Sequence, residues 1–92
     1  MKSAARFIVK GTVQGVFFRQ FVKESAEDLG LSGFCRNLEN SDVEILVEGE
    51  FDKINRFEEL VRVGPKHAQI REVRREEKKW TGDFNGFQIL RF

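Results

Sequence analysis

Residues 11–19, GTVQGVFFR, set two glycines four residues apart, follow them with an apolar run and close on Arg19. The chemistry this suits is the holding of an oxyanion. A turn at Gly15 that leads into a helix leaves the first backbone N–H groups, on residues such as Val16, Phe17, Phe18 and Arg19, without intrahelical acceptors. Curled into a nest and aided by the helix dipole, such amides bind a phosphate. The guanidinium of Arg19 adds a planar fork that grips two phosphate oxygens and stays charged at any physiological pH. A plainer reading also fits the glycines, a tight strand-to-helix turn whose amides are satisfied by water and whose arginine lies on the surface. No GK[ST] follows, which argues against a Walker-type nucleotide loop.

Elsewhere the chain is sparing with reactive groups. Cys35 is the one cysteine, so no internal disulfide can form, and a reducing cytoplasm is the expected compartment. Its thiol is expected as a small buried apolar group rather than a reactive one. His67, the one histidine, is expected at the surface near a helix-to-strand junction, away from the glycine loop. With no His/Cys cluster and no carboxylate constellation near that loop, neither a metal nor a cofactor is expected. Sixteen basic and fifteen acidic residues leave a net charge of +1, which gives no general attraction to nucleic acid or an acidic membrane. No apolar run approaches the ~18 residues that span a bilayer, and MKSAARFIVKG carries too short a hydrophobic stretch for a signal peptide.

The elements that must position the glycine loop follow from periodicity. Phe7, Val9 and Val13 alternate with Arg6, Lys10 and Thr12 over residues 5–13, the period of a strand. From Phe18 the period lengthens, and Phe18, Phe21, Val22, Ser25, Ala26 and Leu29 form one stripe of a helix that Gly30 ends. Residues 33–38 and 43–49 predict a hairpin around ENSD, with Val43, Ile45 and Val47 on the core side and Glu44, Leu46 and Glu48 on a largely wet one. Asp52 is placed to cap a second helix through residue 63, striped by Ile54, Phe57, Leu60 and Val61 and stopped by Gly64 and Pro65. Ile70 and Val73 mark a fourth strand with imperfect, bulge-like alternation, WTGDFNG a loop, and GFQILRF a short last strand. With 92 residues and no linker or repeat, the expectation is a single domain over 1–92, of class α+β. It is a ferredoxin-like βαββαβ sandwich, with two helices on one face of an antiparallel sheet and a short extra C-terminal strand.

Taken together, GTVQGVFFR, GFCRNLENSDVE and VGPKHAQIREV resemble the acylphosphatase family over essentially the whole chain, and VQGVFFR followed by RN some eighteen residues later is specific to it. The resemblance implies an enzyme that hydrolyses acyl phosphates to carboxylate and inorganic phosphate. It implies a phosphate cradle over Gly15, Val16, Phe17 and Phe18, a clamp at Arg19 and an attacking water positioned by Asn37. Five positions depart from the family's usual pattern: Thr12, Phe34 and Cys35 stand where a basic residue, tryptophan and valine are common, and Asn40-Ser41 replaces Asp-Gly in the hairpin turn. Since Ser41 takes a positive φ less willingly than glycine, the type of that turn is left open.

The chemistry fits the sparse site. An acyl phosphate releases a carboxylate of pKa near ~4 to 5, which needs no proton from a general acid. The reaction does need charge stabilisation on the equatorial oxygens and an in-line water. No nucleophilic side chain lies in the loop, so direct attack of water without metal is expected. The partner is then a small acyl phosphate, with phosphate or sulfate as a site ligand, no nucleic acid or membrane partner, and a monomeric protein. An RNA-binding module of the same architecture would carry an aromatic run on the third strand, where DVEILVEGE stands instead. A carbamoyl-phosphate-handling domain of hydrogenase maturation proteins is the nearer alternative, since it resembles the same family.

Overall fold

A computed structural model describes residues 1–13 and 16–91, and of Val16 the backbone only. The chain forms β1 (Lys2–Thr12), α1 (Val16–Asp28), β2 (Ser32–Asn37), β3 (Val43–Glu50), α2 (Phe51–Val63), β4 (Gln69–Lys78) and β5 (Phe87–Ile89). The sheet runs β4-β1-β3-β2-β5. Its inner face contributes Phe7, Val9, Cys35, Val43, Ile45 and Val47 to the core, which Phe18, Val22 and Ala26 of α1 and Ile54, Phe57 and Val61 of α2 complete. Those are the stripes expected from the 2.0 and 3.6 periods. Among the described residues no helix is long and apolar enough to cross a membrane.

The four longer strands pair antiparallel as expected, but β5 runs parallel to β2, from Gly33↔Phe87 to Cys35↔Ile89, so the sheet is mixed. The cause is the chain path. β4 descends beside β1 and ends where β2 begins, so once residues 79–86 have crossed the sheet the chain rises beside β2 in the same direction. The expected bulge lies in β4, where Lys10↔Glu72 is followed by Gly11↔Ile70 and Arg71 is the extra residue. Gly11 serves this irregularity: at φ 143°, a Cβ there would stand 2.0 Å from the Gln69 carbonyl oxygen.

Two expectations are corrected. Asp52 does not cap α2: the N-cap is Glu50, in extended conformation and without a side-chain cap bond, and its carboxylate instead accepts a 2.8 Å bond from the Met1 amine. Asp52 lies in the first turn, where its charge still suits the helix dipole. The outer side of β3 is not wet either, since Glu44 and Glu48 are only 6% and 3% exposed. Glu44 is covered by its cross-strand neighbours, accepting 2.6 Å bonds from Arg6 of β1 and Arg36 of β2. Glu48 is covered by the 79–86 loop, accepting from the amides of Thr81 and Gly82 and from the Thr81 hydroxyl. The hairpin turn, whose type the sequence leaves open, places the positive φ on Ser41, at 76°. Leu38 and Asp42 close it (Leu38 N to Asp42 O, 2.8 Å) while Ser41 N donates to Leu38 O at 3.1 Å, a type I turn followed by a left-handed residue.

Burial alone would raise the Glu44 carboxyl, but hydrogen bonds from Arg36 and Arg6 and their charges hold it below its ordinary value of 4.5. A carboxyl depressed in the folded state stabilises above its unfolded pKa and loses that contribution as pH falls through the folded value. Glu44→Gln should therefore cost about 1–3 kcal/mol at pH 7 and progressively less below pH ~4, as read by urea unfolding across pH; an equal cost at pH 7 and pH 2.5 would contradict this pairing. Ser41→Gly removes the left-handed penalty of an L-residue at the expense of glycine's chain entropy. It should raise stability by about 0.5–1 kcal/mol, seen as a higher urea midpoint at unchanged slope.

Candidate active site

β1 and β2 run toward the same end of the sheet on either side of β3, and Val9, Val43 and Asn37 share one rung there. The start of α1 stands over this end. Because side chains alternate along a strand, Asn37 projects on the same face as Cys35, toward the helices. The Cys35 thiol points at the Arg19 carbonyl oxygen, with Sγ at 4.0 Å, so the first turns of α1 lie directly above the end of β2. α1 is held there by the buried Phe18, Val22 and Ala26 and by Lys23, whose Nζ donates to the Phe87 carbonyl of β5 at 2.9 Å. Phe17 is turned out to solvent.

The result is a pocket of ≈ 320 Å³ lined by Arg19, Asn37, Leu90 and Arg91. The two residues singled out in the sequence are thus brought together. Leu90 and Arg91 are additions, carried into place by the Leu90 N–H donating to the Cys35 carbonyl at 2.8 Å. Nothing in the residue pattern marks them, because their position follows from the parallel pairing of β5. Of the cradle expected over 15–19, Gly15 lies outside the described residues. Val16, Phe17, Phe18 and Arg19 form the first turn of α1, the part of a helix whose N–H groups lack intrahelical acceptors.

Two atoms define what this pocket asks for. Among the described residues, Arg19 Nε and Asn37 Oδ1 are buried without a hydrogen-bond partner, a state that costs about 1–3 kcal/mol for each group. One is a donor and the other an acceptor, yet they do not satisfy each other. Arg19 therefore needs an oxygen acceptor and Asn37 a proton donor, as an oxyanion and a water would supply. Charge points the same way. Arg6, Arg36, Arg56, Arg62, Arg74 and Arg75 are all ion-paired with carboxylates, whereas Arg19 and Arg91 face a pocket that has no carboxylate among the described residues of its lining. Among the described residues no three His, Cys, Asp or Glu side chains group so as to hold a metal ion.

Relatives fit this geometry. The acylphosphatase family model matches residues 5–89. The chain belongs to the acylphosphatase family. It is 47% identical over 92 residues to an acylphosphatase of Alkalilimnicola ehrlichii, an alignment covering 98% of this chain and 100% of the other. Its fold superposes on the crystal structure of the Bacillus subtilis acylphosphatase with a TM-score of 0.91 at 33% identity, covering 98% and 99% of the two chains. Full-length HypF, in its phosphate- and nucleotide-bound form, contains a region similar to 98% of this chain at 29% identity and a TM-score of 0.85, though that region is 12% of its length. As a member of the acylphosphatase family this protein hydrolyses acyl phosphates to carboxylate and inorganic phosphate.

Two further polar residues stand near this region. Burial pushes the Cys35 thiol from 9.0 up to about 12, against the lowering pull of the Arg19 and Lys23 charges, so it is a neutral packing group beneath α1. His67 is exposed, as expected, with a left-handed φ of 75°, but it is not away from the glycine stretch: it lines a cavity together with Thr12, Phe17 and Phe18. Alkylation of Cys35 by iodoacetamide at pH 8, followed by mass spectrometry, should be at least ~100-fold slower in the native protein than in urea, because the thiolate is the nucleophile. Comparable rates would place the thiol at the surface.

Proposed function

We propose that this acylphosphatase works by direct, metal-independent attack of water on phosphorus, with Arg19 and the amides of Gly15, Val16, Phe17, Phe18 and Arg19 holding the phosphate and Asn37 holding the water. The observation that supports this most is that Arg19 Nε and Asn37 Oδ1 are buried in one pocket without a hydrogen-bond partner among the described residues.

The phosphoryl oxygens accept from the first-turn amides and from the Arg19 fork, which stabilises the charge spread over them in a loose transition state. A water donates one hydrogen bond to Asn37 Oδ1 and turns its lone pair to phosphorus. An amide oxygen orients this water but is not basic enough to deprotonate it. The water oxygen forms the new P–O bond, its proton passes to a phosphate oxygen, and the P–O bond to the acyl group breaks. The carboxylate leaves with that electron pair and needs no proton, which accounts for a site without an acid. Two arginines and an amide around the pocket suit an oxyanion better than a divalent cation. In this reading residues 1–92 act as a single monomeric domain in the cytoplasm, without a nucleic-acid or membrane partner, and phosphate or sulfate competes for the site.

Hydrolysis of an acyl phosphate in the presence of a chelator should proceed at the full rate. Asn37→Ala should lower kcat about 100- to 1000-fold while leaving the inhibition constant of inorganic phosphate nearly unchanged. Arg19→Ala should weaken both turnover and phosphate inhibition. Near-normal turnover in Asn37→Ala, or wild-type phosphate inhibition in Arg19→Ala, would remove the residue from its role.

A further inference from the structure

We propose that a second cavity beside the first turn of α1 receives the acyl substituent of the substrate and selects apolar acyl groups, aryl or longer alkyl, over acetyl. The inference rests on the roles given above to Arg19 and Asn37. In an in-line displacement the entering and leaving oxygens lie on opposite sides of phosphorus. Water held by Asn37 enters from the β2 side, so the departing carboxylate lies on the other side, toward β1. The strand order places β3, then β1, then β4 in that direction, with β1 ~10 Å from β2 at the usual strand spacing.

On that side the structure holds a cavity of ≈ 430 Å³ lined by Thr12 at the end of β1, Phe17 and Phe18 in α1, and Pro65, Lys66 and Ala68 between α2 and β4, with His67 beside them. Phe17 and Phe18 immediately precede Arg19, so the first turn of α1 contributes side chains to both the cavity and the phosphate pocket, although the two linings share no residue. Among the described residues the lining is mainly apolar and carries no carboxylate to repel an acyl phosphate. Phe17 is 86% exposed, an apolar surface that the core does not use and that a bound acyl group would cover. The far wall is shaped before any substrate arrives: Gly64 and His67 both hold left-handed φ of 75°, and Ala68 N donates to Pro65 O at 3.2 Å. The volume accommodates an aromatic ring, whereas an acetyl methyl leaves most of it unfilled.

The test is kcat/KM for acetyl, butyryl and benzoyl phosphates, each normalised to its uncatalysed hydrolysis, in the wild type and in the cavity-filling variants Thr12→Phe and Ala68→Leu. The benzoyl-to-acetyl ratio is internal to each variant, so it does not depend on how much of a variant folds. The wild type should favour benzoyl by about 10-fold or more, mainly through KM because the acyl group is bound in ground and transition states alike, with butyryl between. Filling the cavity should bring the ratio toward unity. Equal efficiency for the three substrates in the wild type, or an unchanged ratio in the variants, overturns the acyl cavity while leaving the roles of Arg19 and Asn37 standing. No turnover of any acyl phosphate overturns both.

Discussion

A buried donor and a buried acceptor that share a pocket without bonding each other have to be held in place by everything around them. Among the described residues Arg19 Nε and Asn37 Oδ1 have no hydrogen-bond partner, and left alone each would gain by turning to water. What prevents it is the locking of α1 onto the end of β2. Phe18, Val22 and Ala26 are sunk in the core, Lys23 is tied to the β5 backbone, and the Cys35 thiol lies under the Arg19 carbonyl. Burial of these apolar side chains, about 1.5–3 kcal/mol for a full-sized one, is what holds α1 against the end of β2 and keeps Arg19 and Asn37 in one pocket.

β1 and β2 deliver the chain to one end of the sheet on both sides of β3, so that Asn37 at the end of β2 lines the pocket with Arg19 while Thr12 at the end of β1 lines a separate cavity with Phe17 and Phe18. The two glycines of the 11–19 stretch divide as well. Gly11 lets β4 approach β1 where a side chain would collide with the Gln69 carbonyl, a task of the sheet rather than of the anion site.

Most of this architecture is legible in the residues because the signals are local. The strand period around Phe7 and Val9, the helical stripe from Phe18 to Ala26, and the arginine that closes the glycine loop each lie within a few turns of chain. The uneven spacing of Ile70 and Val73 shows the bulge for the same reason. Long-range contacts are not legible in this way. Glu44 reads as a wet residue because its cover, Arg6 and Arg36, sits 38 and 8 residues away, and Glu48 is buried by a loop 33 residues on. Leu90 and Arg91 enter the pocket through a parallel strand pairing that no local pattern encodes. The N-cap is missed for a different reason: Asp52 has the preferred side chain, but antiparallel pairing of Lys2 with Glu50 keeps β3 extended to its last residue, so α2 begins at Phe51 and the cap falls on Glu50.

The claim on which all else turns is that Arg19 and the first turn of α1 bind phosphate, beside the water that Asn37 holds. A titration of inorganic phosphate into the nitrogen-15-labelled protein, followed by two-dimensional NMR, tests it directly. The account predicts a saturable shift centred on the Arg19 Nε–H and on the backbone amides of Phe17, Phe18 and Arg19, with the Asn37 side-chain amide moving alongside them. Shifts spread over exposed lysines, with the Arg19 Nε–H unmoved at saturating phosphate, would contradict it.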